Sequence, residues 1–198
     1  MNLFDDIKLF LPQYLSAESR KELFSELEKF PSNDKIYSTY LDDDPDILQG
    51  DGLRDQLIID FPEGRIKTGP VMVLTNTCDI SQENKRILKT RIAYCPIMKL
   101  SRYRDWLGST GMHKDAMADH IEAIRRQEFS AFFYLPANAS LQEECIALFD
   151  RPVNCKMDYL DDPERRRKLF ILSQYGFYLF LIKLSIHFTR VREDINRR

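Results

Sequence analysis

The pattern of apolar and polar positions changes its period several times along the chain. From about residue 50 to residue 100 it breaks into short runs. QLIIDF (56–61), VMVLTN (71–76) and RIAYCPI (91–97) are rich in β-branched and aromatic residues, which predicts strands. The turn residues Gln49-Gly50-Asp51-Gly52 and Pro62-Glu63-Gly64-Arg65 punctuate them. KIYSTYL (35–41) reads as one more short strand. From 102 to 128 the period lengthens. Met117, Ile121 and Ile124 recur at i, i+4 and i+7 among charges, which predicts an amphipathic helix over 113–128. Gly108 and Gly111 separate it from a shorter helix around Tyr103 to Leu107. Strand signals return at AFFYL (131–135), 145–149, 154–160 and 169–172.

Two helices flank these runs. Ser16 is placed to cap the first, with Glu18 in its opening turn and Leu23, Phe24, Leu27 and Phe30 on one face. Pro31 ends it. Ser173 is placed to cap the last, which puts Phe177, Leu181, Leu184 and Phe188 on one side. The strand runs follow one another without alternating helices, so they imply antiparallel pairing in a small barrel. The expected architecture is one α+β domain over 1–198. It has an N-terminal helix (1–31), a first barrel part (36–100), a helical insertion (101–130), a second barrel part (131–172) and a C-terminal helix (173–198).

Composition narrows the function classes. Charge is nearly balanced, with 29 basic and 31 acidic residues, which argues against a dedicated nucleic-acid binder. Four cysteines without a C-x-x-C pair, and an acidic N-terminus unlike a secretion signal, suggest reduced thiols in the cytoplasm. The apolar run from Phe177 is too short to cross a bilayer, so no membrane is expected. Nothing resembles a phosphate-binding glycine loop or a Gly-x-Ser-x-Gly elbow, and neither a cofactor nor a metal is expected.

Candidate chemistry gathers at a few places. Thr77-Cys78-Asp79 sits where a strand ends, and Cys78 becomes a nucleophile only if a cation or one of His113, His120 and His187 activates it. The plain alternative is a small buried thiol with Asp79 capping a turn. Cys78, Cys95, His113 and His120 contain ligand types for zinc but lack paired spacing. Asp42, Asp43, Asp44 and Asp46 form an acidic loop without the calcium-loop signature, so a solvated loop is expected. Arg125-Arg126 and Arg165-Arg166-Arg167-Lys168 are candidate phosphate contacts, or else a solvated edge. The aromatics Phe132, Phe133, Tyr134, Tyr175 and Tyr178 either stack on bases or fill the core.

The order of a Gly-Asp turn, a strand ending in Asp-Phe, Gly69-Pro70 leading into VMVLTN, and then IAYCPI resembles the MazF/PemK toxin family over about Gly50 to Leu100. That resemblance implies an SH3-like barrel of RNA-cutting ancestry. The remainder, with FFYLP, LSQYGF and FTRV, is similar to a set of bacterial proteins in which a strand ends in a pair such as TCDI. Two hallmark positions depart. The toxins carry an arginine just before the proline, where this chain has Gly69, and a threonine after Pro-Ile, where it has Met98. Cleavage needs a proton-transfer group near the ribose hydroxyl and a cation for the phosphate charge. Met98 offers neither, and Arg65 and Lys67 lie nearby without aligning.

The resemblance and its departures imply a non-catalytic or catalytically altered barrel. It would act as a protein-interaction subunit, paired with itself or another protein, in a bacterial toxin–antitoxin or phage-defence setting. The alternative is a metal-independent endoribonuclease with a relocated site. Its catalytic groups would be Arg65, Cys78 and Asp79, with Lys67, Arg165, Arg166 and Arg167 on the RNA. A third reading, a cysteine hydrolase, requires a histidine within reach of Cys78. An enzyme should gather these groups in one open cleft. An interaction module should bury Cys78 and show an exposed apolar patch.

Overall fold

The computed structural model describes residues 36–39, 46–60, 62–81 and 90–189, with Glu18, Lys21 and Ser25 alone before them. Those three are helical and exposed, at the i, i+3, i+7 spacing of one polar helix face. The expected apolar stripe of that helix, Asp42 to Asp44 of the acidic loop, and everything after Thr189 lie outside the described residues.

The strands are β1 (Gly52–Asp60), β2 (Arg65–Val73), β3 (Arg91–Lys99), β4 (Phe132–Leu135), β5 (Cys145–Leu148), β6 (Val153–Lys156) and β7 (Lys168–Phe170). The helices are α1 (Thr77–Ile80), α2 (Leu100–Ser109), α3 (Lys114–Arg125) and α4 (Gln174–Thr189). Two 3₁₀ turns, Met157–Leu160 and Pro163–Arg166, precede β7. The sheet is antiparallel throughout, in the order β4-β5-β3-β2-β1-β7, with β6 also on β3.

β3 organises the sheet. One of its edges meets β2 through Tyr94 to Pro96. Its other edge takes β6 along Arg91–Tyr94 and β5 along Ile97–Lys99. Phe149 to Pro152 bulge between those two partners. No strand pairing joins β4 to β7 among the described residues, so the pairings form an open sheet. Residues 36–39 bridge that gap. Tyr37 pairs with Leu172, Ser38 N–H donates to the Ile171 carbonyl, and the Tyr37 hydroxyl donates to the Pro136 carbonyl at 2.7 Å.

Alternation along the strands sends side chains to two faces. Met72, Cys95, Ile97, Phe133 and Ala147 pack with Phe149, Phe170 and α4 on one face. Phe133, Phe149 and Phe180 contact one another there with ring centroids 5.8–6.2 Å apart. The opposite face carries two clusters. Leu53, Val71, Val73, Ile92 and Tyr94 are closed by Leu160 of the first 3₁₀ turn. Ile146 and Leu148 are covered by Leu100 and Leu107 of α2 and Ile121 and Ile124 of α3.

Two expectations change. Residues 154–160 are not one strand: β6 stops at Lys156 and a 3₁₀ turn follows, because Leu160 must fold back over the core. The helix after Ser173 is present, with the Ser173 hydroxyl accepting from Gly176 N–H at 3.0 Å, but it buries another face. Tyr175, Gly176, Leu179, Phe180, Ile182 and Lys183 point inward, while Phe188 is 60% exposed. The helix is apolar nearly all round, so periodicity could not choose a face. Gly176 chooses it: a β-carbon there would overlap the Ile36 carbonyl.

α3 ends in a Schellman arrangement. Glu128 N–H bonds back to Ala123 and Gln127 N–H to Ile124, with Gln127 in the left-handed region at φ 60°. Glycine is usual there. Gln127 holds the place because its buried amide exchanges two hydrogen bonds with the Tyr134 backbone.

The start of β7 is tied to the turn before β1 by a buried ion pair. Lys168 Nζ lies 3.2 Å from Asp51 Oδ2, with side chains 8% and 2% exposed. The contact is ionic and off hydrogen-bond angles, while Leu48 N–H donates squarely to the same carboxylate. Lys168→Met strands a buried charge and should lower unfolding stability by about 3–5 kcal/mol. Adding Asp51→Asn, which keeps an acceptor for Leu48, should recover most of that loss in urea titrations.

Candidate functional site: a groove opened at Pro70

β2 and β3 pair only as far as Val71 with Pro96. The next β2 residue is Pro70, which has no N–H to offer the ladder. From there the β1–β2 hairpin leaves the sheet as a two-stranded arm. Backbone groups alternate sides along a strand. Val73 bonds toward the β1 side, to Gly50 and Asp51, so Ile66 and Thr68 turn their N–H and C=O groups away from β1. Among the described residues no backbone partner meets them there.

The space so opened is a groove of about 1600 Å³. One wall is the arm, with Arg65, Ile66 and Lys67. The floor includes Gly69, Pro70, Pro96, Ile97 and Met98, and the far wall is α2 with Arg102, Tyr103 and Trp106. Apolar groups are exposed on both walls: Ile66 is 65% and Trp106 58% exposed. Trp106 is held by Tyr103, at 5.7 Å between rings, and Tyr103 in turn by Phe132 at 5.3 Å.

The groove's charges are mixed. Arg65 approaches Asp60 at 3.8 Å, and Lys99 binds Glu143 at 2.6 Å, where the Ser101 hydroxyl also donates. The Lys99 ammonium and the Ser101 hydroxyl hold the Glu143 carboxyl below its usual range. Lys67, Arg102 and Arg151 have no acidic partner among the described residues, and neither Asp55 nor Asp150 has a basic one. Cys145 also lines the groove, and burial pushes its thiol up to about 11, so it is protonated at neutral pH.

The other sequence candidates lie elsewhere. Thr77, Cys78 and Asp79 form α1, beyond the opposite end of β2 from Arg65, about 26 Å of strand away. α1 is pinned by Asn76 Oδ1, which accepts from Cys78 N–H at 2.9 Å, and by Thr77 Oγ1, which accepts from Gln49 N–H at 3.0 Å. Arg65 and Lys67 thus share the groove, but Cys78 and Asp79 do not join them. Cys78 is exposed, which departs both from a small core thiol and from the burial expected of it in an interaction module; the other expectation for such a module, exposed apolar groups, is met at Ile66 and Trp106.

Arg165, Arg166 and Arg167 fold their own turn. Arg165 lies 3.9 Å over the Tyr159 ring and 3.5 Å from Asp162. Arg166 donates to the Leu160 carbonyl and approaches Asp161, and Arg167 binds Glu164 at 3.1 Å. Buried Gln56 donates to the Arg165 carbonyl and clamps this turn to β1. Each arginine therefore has a carboxylate within its own turn.

The histidines have separate work. His113 caps α3, His120 Nε2 lies 3.1 Å from the Tyr103 hydroxyl, and His187 packs on Phe149 and Phe188. Among the described residues no three His, Cys, Asp or Glu side chains cluster as a metal site. No described helix is long and apolar enough to cross a membrane. The expected fillers Phe133 and Tyr175 are core residues, whereas Phe132 supports the groove wall.

No family model matches the chain, and no curated protein matches it.

Sequence reasoning missed Trp106, Tyr103 and Arg102. Their signal was a tryptophan among charges on a short helix, which is costly to expose without use. All four cysteines are reduced thiols, of which only Cys78 is exposed. In the native protein one thiol should therefore react fast with an aromatic disulfide reagent. Cys78→Ala should remove that fast phase, and Cys95 and Cys145 should react only on unfolding.

Proposed function

We propose that this protein is a catalytically altered MazF/PemK-type barrel whose groove binds a protein partner instead of cutting RNA. One observation carries the reading. Gly69 and Met98, the two positions where the toxins hold arginine and threonine, both line the groove, and neither side chain can transfer a proton or neutralise a phosphate. The strand order β5-β3-β2-β1-β7, and the way residues 36–39 span from β7 toward β4, support an SH3-like barrel type.

The surface that remains suits a protein partner. Tryptophan, tyrosine and arginine side by side on α2 are the residue types that dominate protein interfaces. Asp55, Asp60, Glu143 and Asp150 interrupt the groove's cations, so its lining is mixed in charge and not the continuous basic surface that a phosphate backbone favours. A toxin–antitoxin or phage-defence setting in the bacterial cytoplasm follows from the resemblance. The relocated nuclease is the weaker reading, since its four groups stand at opposite ends of β2.

The test pairs two assays. Mixed single-stranded and structured RNA in EDTA should stay intact with the wild type and with the Cys78→Ala, Asp79→Ala variant alike. Cleavage that disappears in the double variant would establish the nuclease. A photo-crosslinker at position 106 should trap protein in cells, and an Ile66→Asp change should cut that yield at least about tenfold without moving the melting temperature. RNA trapped in place of protein overturns the reading.

A further inference from the structure

Neither the groove nor the sheet accounts for Lys183. It lies in the middle of α4 with its side chain only 3% exposed. Its ammonium donates to the carbonyls of Gln127 and Phe129, at the corner where α3 ends and β4 approaches. Among the described residues no carboxylate touches it. Glu128 lies between the two acceptors in sequence and is the charged group whose field reaches Lys183, but it is already bound to Arg126 at 2.6 Å. On its own helix, His187 lies one turn further on and packs against phenylalanines. The ammonium is thus held mainly by the negative ends of backbone dipoles.

The corner it grips leads to the groove. The Phe129 ring lies 4.5 Å from His120 and 6.2 Å from Phe132. Both of these touch Tyr103, at 5.9 and 5.3 Å, and Tyr103 supports Trp106. A chain of packed rings therefore runs from the Phe129 backbone to the groove wall.

We propose that Lys183 is a proton-dependent clasp between α4 and the α3–β4 corner, and that its protonation sets the posture of the Trp106 wall. This adds regulation to the groove and rests on reading that groove as the binding surface. The charged ammonium makes charge-assisted hydrogen bonds to the Gln127 and Phe129 carbonyls, which are stronger than those of a neutral amine. Burial lowers the Lys183 pKa from 10.5 to about 7, with Glu128 opposing the shift, so the clasp changes state near neutrality. The sign of the stability change follows. Between about 7 and 10.5 the unfolded chain keeps this proton and the folded chain has lost it, so stability rises with pH across that window. Below it both states are protonated and the full cost of burying the charge is present.

Trp106 is the only tryptophan in the chain, so its emission reports the wall in the free protein. Emission and melting temperature are followed from about pH 5.5 to about 10 for the wild type, Lys183→Met, Lys183→Gln and His120→Gln. Lys183→Gln keeps a donor and guards against loss of folding in the methionine variant. His120→Gln removes the imidazole from the ring chain and serves as the control for it. The wild type and His120→Gln should show a one-proton emission change centred near pH 7 and a melting temperature that climbs above it. Both Lys183 variants should lack the emission change and the climb. A flat wild-type emission, a transition that persists in the Lys183 variants, or one that vanishes in His120→Gln overturns the clasp. No partner is added, so this outcome is independent of the RNA and crosslinking assays on the groove itself.

Discussion

A β-strand has two edges, and β3 divides both of them. Along one it carries β6 and then β5, with the Phe149–Pro152 bulge absorbing the change of partner. Along the other it carries β2 only until Pro70 withdraws its hydrogen bond. The α2–α3 pair lies over the β5 half, and the 3₁₀ turns lie over the β6 half. The groove is what remains beside β3 where β2 has left. Fold and candidate site therefore follow from the same few backbone groups.

Charge is used differently inside the molecule and at its surface. Inside, Lys168 is neutralised by Asp51, whereas Lys183 is held mainly by the Gln127 and Phe129 carbonyls. The first arrangement is costly to break. The second trades that security for a proton equilibrium in the physiological range. At the surface, the Arg165–Arg167 run is spent on its own turn, so a basic stretch in sequence does not become a basic face. The groove's excess cations come from scattered positions, Lys67, Arg102 and Arg151, brought together only by folding.

Much of the architecture was legible in the local pattern. Runs of β-branched and aromatic residues and the turn clusters between them marked β1 to β5. The i, i+4, i+7 stripe of Met117, Ile121 and Ile124 marked α3, and Ser173 marked the start of α4. These are short-range properties, settled by backbone sterics, capping and alternation, which a chain carries before it folds. Gly69 and Met98 were also legible as positions of interest, and both line the groove.

What the sequence could not settle depends on distant partners. An all-apolar helix has no preferred face until Gly176 meets Ile36, which is 140 residues away in the chain. Whether an arginine meets phosphate or its own turn depends on where Asp161, Asp162 and Glu164 fall in space. Cys78 and Arg65 are 13 residues apart in the chain yet lie toward opposite ends of β2, because an extended strand spends its length in one direction. Local sequence determined which elements form. Tertiary structure alone decided which surfaces they bury and which side chains share a groove, because burial and proximity are properties of pairs of elements and not of any one segment.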